Sequence, residues 1–590
     1  MNTFPNDGSS SPSRSQIPVE INAAPVTPLP DRSPKQAAWI SLLRRVLFLM
    51  ISFGLAILLI KGGFRTLLKI SERMLPGQEL DWSTSYIFHA PVRDIVAERL
   101  PDTLTLLLAA FLFALALALV AVLAGALAHL LENKTGWPGS LLKGLGRMLL
   151  FPLGSAPSII LGLLLLIVFV FQLDLLPPAG MVSPEGNFGD FADRLRHLVL
   201  PALTLGFMPA LLAAQSTTRR VTLPSQPGGI RLWLGGLCHL LGALLGQIGG
   251  WLGALIFVEF IFSWPGTGRL FIQALSVGDL QLLIGIPGTW AVIILIVRLL
   301  SELLRWGSRL LLGDAPVALP LTPQRKAARL VWVIIALALL LVPLGLAAAG
   351  LTVSDQQVNQ VEPSARMQAP SAEHPLGTDA LGRDLLARLL RGSTNLVGSA
   401  LAVVLLVLIP AAVGGALSGF LASRRTWIME TISDLVLLLA DILLFIPAIA
   451  LGIVIRVTSY HHQQAHAGML ILVVALALAP RAVRTFQALW LATPRLSRVF
   501  TAGLGALFLA TFYGATVLIL GMDFLLLGVL PPTPTLGGIF RDAMQHLVVG
   551  SSGTLVIGLV VGSIALALYT AADALIGFFS TKDALLHLNE

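Results

Sequence analysis

The chain has 590 residues, of which 56% are apolar and 12% are charged, and its mean hydropathy is +0.85. This composition excludes an ordinary soluble protein, and the apolar runs are too long and continuous for lipid-facing barrel strands, which alternate. The single cysteine, Cys238, excludes an internal disulfide and a cysteine-based metal site, and basic helix ends explain the net charge of +8 without nucleic acid.

The first 38 residues are rich in Pro, Ser and Asn and lack a helical period, so residues 1–38 are predicted to be a disordered cytoplasmic tail. They show no signal-peptide pattern, so we expect the first apolar helix to remain as an anchor. The rest of the chain predicts an all-α polytopic membrane protein with about twelve transmembrane helices. The apolar runs lie near residues 43–61, 103–130, 146–173, 198–217, 233–258, 281–303, 329–350, 394–422, 431–457, 467–480, 499–528 and 549–577.

Orientation follows from lysine and arginine, which cluster in alternate loops such as those at Arg44/Arg45, Arg219/Arg220 and Arg424/Arg425. Short loops rich in these residues stay in the cytoplasm. The even number of predicted spans then places both the N-terminus and the C-terminus in the cytoplasm.

An internal repeat divides the chain. The segment that starts at Arg93 resembles the one that starts at Arg383, and Pro157 aligns with Pro447 at the same offset of 290 residues (383 − 93 and 447 − 157). We interpret the repeat as two parallel six-helix halves, residues 39–315 and 316–590. A shared bias toward leucine and alanine is the alternative explanation.

The stretch "HPLGTDALGRDLLARLLRG", residues 374–392, concentrates charge in a chain that has little of it. Leu381, Leu385, Leu386 and Leu389 follow a helical period, Asp379 is a plausible N-cap, and Asp384 and Arg388 are spaced as ion-pair partners. We expect an amphipathic helix lying along the outer membrane interface. This helix is either a solvated surface helix without a specific partner or the rim of a surface on which a partner from outside the membrane docks.

Several of these segments resemble the permease subunits of dipeptide, oligopeptide and nickel ABC importers. The second half carries "HPLGTDALGRDLLARLLRG", "DILLFIPAIALGIVI" and "LGVLPPTPTLGGIFRDA", which are similar to one permease subunit. The first half carries "VRDIVAERLPDTLTLLLAA" and "VEFIFSWPGTGRLF", which are similar to the companion subunit. The resemblance covers about residues 40–580 and indicates that two subunits are fused in one chain.

The resemblance implies the type I importer permease fold in the bacterial inner membrane. It also implies two cytoplasmic ABC ATPase subunits and a periplasmic or extracellular solute-binding protein as partners, with the lipid bilayer as surroundings. No cofactor and no enzymatic activity of the chain itself are expected. Consistently, the sequence contains no Gly-x-x-x-x-Gly-Lys-Ser/Thr phosphate loop, so ATP hydrolysis would be supplied by partners.

Two proline- and glycine-rich segments, Phe262–Phe271 and Pro531–Phe540, follow apolar runs and should break the helices there. Broken backbone at membrane depth is tolerated only inside protein or beside a watery cavity, so we expect re-entrant turns. An ordinary outer loop is the alternative, and the family resemblance favours a gate. The predicted outer rim and gate residues are Trp264, Pro265, Gly266, Gly268, Pro531, Pro532 and Gly537, with Gly377, Asp379, Arg383 and Asp384 of the charged segment.

Asp441 lies within an apolar run, where a charge is costly and usually has a partner. We expect an interhelical hydrogen-bond anchor rather than a proton-coupling site. His461, His462 and His466 form a loop cluster whose spacing is compatible with metal binding, but no carboxylate or cysteine lies nearby. We therefore predict a plain polar loop and no metal site.

The resemblance fails at the ATPase-coupling loops. Importers of this class carry a Glu-Ala-Ala motif between the fourth and fifth helices, but Thr218–Arg231 and Arg481–Arg498 contain no acidic residue. Arg219, Arg220, Arg484 and Arg495 are candidates for ATPase contact, with a positive-inside topology role as the alternative. The altered loops keep two other functions open, a permease-derived scaffold or regulator that no longer transports and a secondary transporter that uses Asp441.

Overall fold

The computed structural model describes residues 84–135, 158–183, 191–222, 228–313, 326–424, 426–444, 466–492, 504–529 and 531–544, with scattered positions in 39–54 and 560–567. These residues are mostly helical. Two bridges of extended backbone, Thr84 with Pro91 and Thr378 with Asp384, remain isolated within the described part of the chain. The prediction of an all-α protein is therefore confirmed for these residues.

The helices before the middle of the chain are α1 (Val92–Thr135), α2 (Ser158–Leu166, continuing as a π-helical turn Ile167–Gln172), α3 (Phe191–Val221), α4 (Ile230–Leu245), α5 (Ile248–Ile261), α6 (Thr267–Val277) and α7 (Leu280–Leu312). Asp279 begins α7 as its N-cap and accepts the backbone N–H of Leu282. The same buried carboxylate accepts the Ser85 hydroxyl at 2.5 Å and the Ile87 N–H at 3.1 Å. The segment before α1 is thereby fixed to the start of α7.

The later helices are α8 (Lys326–Gly350), α9 (Asp355–Asn359), α10 (Leu385–Ser423), α11 (Trp427–Leu444), α12 (His466–Ala492), α13 (Leu504–Phe524) and α14 (Leu536–Met544), with a 3-10 turn at Pro363–Ala365. Helix α9 begins with a capping box between Ser354 and Gln357. Helix α10 has 39 residues, about 58 Å at 1.5 Å per residue, so it is longer than a hydrocarbon core of roughly 30 Å.

Six of the described helices are long and apolar enough to cross a membrane, and a bent pair would make a seventh span. They lie in Val92–Ala128, Phe191–Thr218, Leu280–Leu312, Leu385–Ser423, Ala467–Gln487 and Leu507–Phe524. The chain is therefore a polytopic α-helical membrane protein. Most residues of the predicted spans at 43–61 and 549–577 fall outside the described residues, and the count of twelve stays a prediction.

The bent pair corrects the predicted fifth helix. The run 233–258 was expected to be continuous, but α4 ends at Leu245, α5 begins at Ile248, and the two axes differ by 50°. Gly246 lies at the bend, and the side-chain amide of Gln247 donates to the Pro209 carbonyl of α3 at 3.2 Å. A glycine and a polar tether to a neighbouring helix explain a sharp bend without an internal proline.

Small residues allow the long helices to approach closely, as is common between membrane helices. A Cβ atom on Gly206 of α3 would lie 2.6 Å from the Ala110 carbonyl oxygen of α1. Among the later helices, a Cβ on Gly415 of α10 would lie 2.7 Å from the Val483 carbonyl oxygen of α12. In each of the pairs α1–α3 and α10–α12, a glycine on one helix therefore lies against the backbone of the other.

Extensive helix packing within the described residues falls into two groups. Helices α1 to α7 pack among themselves, with α1 against α3 and α4 against α7, and helices α8 to α14 do the same, with α10 against α8, α12 and α13. Buried side chains of both groups nevertheless form one apolar cluster. We call these sets the first and second helix groups.

Candidate functional site at two helix breaks

The first break separates α5 from α6 and includes the predicted gate segment. Ser263, the second residue after α5, has φ of 51°, in the left-handed region that side chains disfavour. Trp264 is fully buried, and its indole N–H donates to the Asp102 carbonyl of α1 at 3.0 Å. This turn is therefore fixed against the start of α1.

A buried carboxylate holds the two sides of this break together. Glu259, one turn before the break, has no solvent exposure, and its Oε2 accepts the N–H groups of Gly268 at 2.7 Å and Arg269 at 3.0 Å. Its Oε1 accepts the Thr103 hydroxyl of α1 at 2.9 Å, and Thr103 accepts the Thr267 N–H at 2.7 Å. A carboxylate at the N-terminus of α6 satisfies donors that the helix cannot satisfy itself.

Two of the predicted gate glycines make room for this arrangement. A Cβ on Gly266 would collide with the Glu259 carboxylate, and a Cβ on Gly268 would lie 2.9 Å from the Ile256 Cα. Pro265 lies between Trp264 and Gly266 in the turn before α6. Gly266 and Gly268 lack a side chain, which lets the Glu259 carboxylate and the end of α5 approach the backbone at the start of α6.

The second break separates α13 from α14. Leu526, again the second residue after the helix, has φ of 60°, and the Pro531–Pro532 peptide bond is cis. The buried Asp523 accepts the Val529 N–H at 3.1 Å and also hydrogen-bonds with the Thr535 hydroxyl just before α14. The Asn395 side chain of α10 donates to the Pro534 carbonyl at 2.9 Å. This turn is therefore also fixed to its preceding helix and to the start of a long helix.

Gly537 corresponds in position to Gly268, since each is the second residue of the short helix after a break. A Cβ on Gly537 would lie 2.8 Å from both the Asp523 Cβ and the Phe524 nitrogen. Both breaks therefore combine a buried acid near the end of one helix with a glycine at the start of the next. The prediction that the helices are broken here is confirmed.

Glu259 and Asp523 were not among the predicted site residues. The signal that could have found them is the one that selected Asp441, a lone acid within an apolar run. Their partners are backbone N–H groups and hydroxyls that lie 6 to 12 residues further on (529 − 523 and 535 − 523), or across α1. No helical periodicity in the sequence indicates such partners.

The charged segment before α10 differs from its prediction in three ways. The N-cap of α10 is Asp384, which accepts the Ala387 N–H at 2.7 Å, and not Asp379. Asp384 pairs with His374 at 2.8 Å, whereas Arg388 lies 3.7 Å from Asp379. Residues from Leu385 onward form the first turns of α10 itself. The prediction of an amphipathic helix that lies along the outer membrane interface is therefore wrong.

The turn before α10 explains these pairings. Gly377 and Gly382 have φ of 77° and 78°, which fold the chain back so that Asp379 meets Arg383 at 2.7 Å. The Asp379 carboxylate also accepts the backbone N–H groups of Leu381 and Arg383. The charges in this segment therefore largely hold its own turn and helix start in place.

Comparisons with known proteins relate part of the chain to transport permeases. No protein-family model matches the chain. A candidate peptide permease protein of Brucella ovis is 28% identical over 259 residues, which is 39% of this chain and 78% of that protein. The glutathione transport system permease protein GsiC of Escherichia coli K12 is 30% identical over 219 residues, 34% of this chain and 64% of GsiC. The chain is a homologue of ABC-importer permeases.

The homology confirms the resemblance for the matched part, and it agrees with the apolar helices. A further relative, GsiC of Salmonella paratyphi A, is 29% identical over 218 residues, which again cover 34% of this chain and 64% of the relative. This permease homologue is therefore a multi-pass α-helical membrane protein. Permease components of such transporters form the pathway and are not themselves catalytic.

The arginines predicted to contact an ATPase lie on two different helices or outside the described residues. Arg219 and Arg220 are near the end of α3, and the Arg220 guanidinium donates to the Gly313 carbonyl just after α7. Arg484 is exposed on α12, whereas Arg495 lies outside the described residues. Arg220 therefore has a local structural contact, and a coupling role for these arginines stays a prediction.

The remaining predicted sites of the permease homologue lie at the limits of the described residues. Asp441 lies within α11, but its side chain is outside what the structure describes, as are His461, His462 and the side chain of His466 at the start of α12. Among the described residues, no three His, Cys, Asp or Glu side chains are grouped as a metal site requires. The role of Asp441 as an anchor stays a prediction.

Proposed function

We propose that this chain is the complete transmembrane pathway of an ABC importer, with both permease subunits fused, and that it carries short peptides across the bacterial inner membrane. The observation that carries the proposal is homology to proteins named as peptide and glutathione permeases. Glutathione is itself a tripeptide, so both names describe one chemical class. Nickel is the less favoured solute because neither name includes it.

Helix packing supports the fusion. The two helix groups are separated in sequence between Leu312 and Lys326, near the proposed boundary at residues 315 and 316. In the described residues of each group, a buried acid near the end of one helix accepts a backbone N–H from beyond the helix break that follows, Glu259 in the first group and Asp523 in the second. Each relative accounts for less than two fifths of the chain, which leaves room for a second subunit. Two parallel six-helix halves with cytoplasmic termini fit these facts.

The proposed transport route lies between the two groups, with the helix breaks near its outer mouth. Pro531 and Pro532 of one break and Trp264 of the other then form the outer gate, and the turn at Gly377–Asp384 forms part of the rim. A solute-binding protein would deliver peptide at this rim. Two cytoplasmic ATPase subunits would bind near the end of α3, which carries Arg219 and Arg220, and near Arg484 of α12. Arg495 follows α12 in sequence and would contribute to the same contact.

An uptake experiment tests the proposal. Deleting the gene should reduce uptake of labelled glutathione or of a set of dipeptides and tripeptides at least tenfold, and the full-length chain should restore it. Inactivating the phosphate-loop lysine of the partner ATPase should have the same effect, because the energy is supplied by that subunit.

The result also distinguishes the alternatives. Undiminished uptake with an inactive ATPase would reject the assignment of the motor, and loss of that uptake in Asp441→Asn would favour a secondary transporter. Normal uptake of every peptide after deletion, with no ATPase in the purified complex, would favour the permease-derived scaffold or regulator. The lack of an acidic residue in either coupling loop is the observation that keeps this scaffold alternative in view.

A further inference from the structure

Four phenylalanine rings meet where the two helix groups touch. Phe524, the last residue of α13, is only 2% exposed. Its ring centroid lies 5.9 Å from that of Phe257, 5.8 Å from that of Phe260 and 6.1 Å from that of Phe540. The interplanar angles are 60°, 84° and 46°, so the contacts are edge-on or tilted, as aromatic pairs prefer. We call these residues the phenylalanine cluster.

The cluster joins the two groups. Phe257 and Phe260 belong to α5 of the first group, whereas Phe524 and Phe540 belong to α13 and α14 of the second. Extensive backbone packing in the described residues stays within each group, so this junction depends on side chains. Gly521 adds to the close fit, since a Cβ there would lie 3.0 Å from the Phe257 ring. Contacts made by aromatic rings can part without breaking backbone hydrogen bonds.

The rings are attached to the parts of the chain that the buried carboxylates hold. Phe260 directly follows Glu259, and Phe524 directly follows Asp523. Phe540 is the fifth residue of α14, whose start is held by the Asp523 and Thr535 contacts. Because each turn is fixed to its own helices, the rings should separate only when the two groups move apart as units.

We propose that the phenylalanine cluster is a gate that closes the route between the two helix groups at the level of the breaks, and that each transport cycle separates α5 from α13 there. The gate rests on the proposed transport function. Rings in mutual contact leave no space for a hydrated peptide between them, so the structure represents the closed state of this gate. Glu259 and Asp523 are then positioning residues that hold the rings.

Reversible cross-linking tests the gate. In a Cys238→Ser background, Phe257→Cys with Gly521→Cys gives a pair across the junction that a short bifunctional maleimide with a cleavable disulfide can join. Cross-linking should reduce peptide uptake more than tenfold, and reduction should restore it. The matched control is Phe111→Cys with Trp251→Cys, whose native rings lie 6.4 Å apart within the first group. Joining that pair should change uptake less than twofold.

Undiminished uptake by the protein cross-linked across the junction would overturn the gate. If the unmodified chain imports no peptide, the proposed function fails, and labelling tests the gate separately. A membrane-impermeant maleimide should modify Phe257→Cys at least tenfold faster when Phe524→Ala is also present, because the covering ring is gone. Phe524→Leu keeps a large apolar side chain over Phe257→Cys, so it should increase the labelling rate less than Phe524→Ala does. Equal rates in all three backgrounds would contradict the gate even if transport is absent.

Discussion

Glu259→Ala is expected to destabilise the protein by about 3 kcal/mol or more and to abolish peptide uptake. The substitution removes the acceptor of two buried donors, the Gly268 N–H and the Thr103 hydroxyl, and of the partly buried Arg269 N–H. Each unsatisfied buried donor costs about 1 to 3 kcal/mol. Thermal unfolding of the purified protein in detergent, together with uptake in cells, measures both effects.

Two further variants make this result specific. Glu259→Gln keeps an oxygen that can accept from both N–H groups, so it should lose less stability than Glu259→Ala. Glu98→Ala is the matched control, because Glu98 is exposed on α1, the helix that also carries Thr103. It should unfold and transport like the unmodified chain. Equal behaviour of Glu259→Ala and Glu98→Ala would show that the buried carboxylate does not hold the break.

Gly537→Ala should destabilise the second break by about 2 to 3 kcal/mol. The added methyl group would lie 2.8 Å from both the Asp523 Cβ and the Phe524 nitrogen, and it would also meet the Leu520 carbonyl. These are mostly backbone or helix-bound atoms that cannot move aside, and forced overpacking costs about 1 to 3 kcal/mol. The displaced α14 would carry Phe540 away from Phe524, so uptake should also fall.

Gly398→Ala is the control for this substitution. Gly398 is exposed on α10, and a Cβ there would meet no atom within 4 Å. Its unfolding temperature should equal or exceed that of the unmodified chain, because alanine favours a helix more than glycine does. If Gly537→Ala is as stable and as active as Gly398→Ala, the close packing of α14 against α13 is not required.

Hydropathy and breaker residues predicted much of the helical framework. The run 281–303 corresponds to α7, and the proline- and glycine-rich segment Phe262–Phe271 contains the end of the break before α6. Both signals are local, because a span depends on the length of its apolar run and a break depends on residues at the break itself.

Contacts between distant residues were not predictable in the same way. Asp279, which caps α7, also accepts a hydrogen bond from Ser85, a residue 194 positions earlier in the chain. The bend before α5 depends on the hydrogen bond from Gln247 to α3. In the charged segment, the assumption of one continuous helix gave Asp384 and Arg388 as partners. The left-handed turns at Gly377 and Gly382 bring Asp379 to the arginines instead.

The central claim is that one chain supplies both halves of an importer's pathway. The mass of the intact complex, isolated from membranes through a tag on this chain and measured by native mass spectrometry, tests it most directly. We predict one copy of the 62.7 kDa chain with two ATPase subunits and no other permease polypeptide. A complex containing two copies of the chain, or one copy with a separate permease subunit, for each pair of ATPases would contradict it.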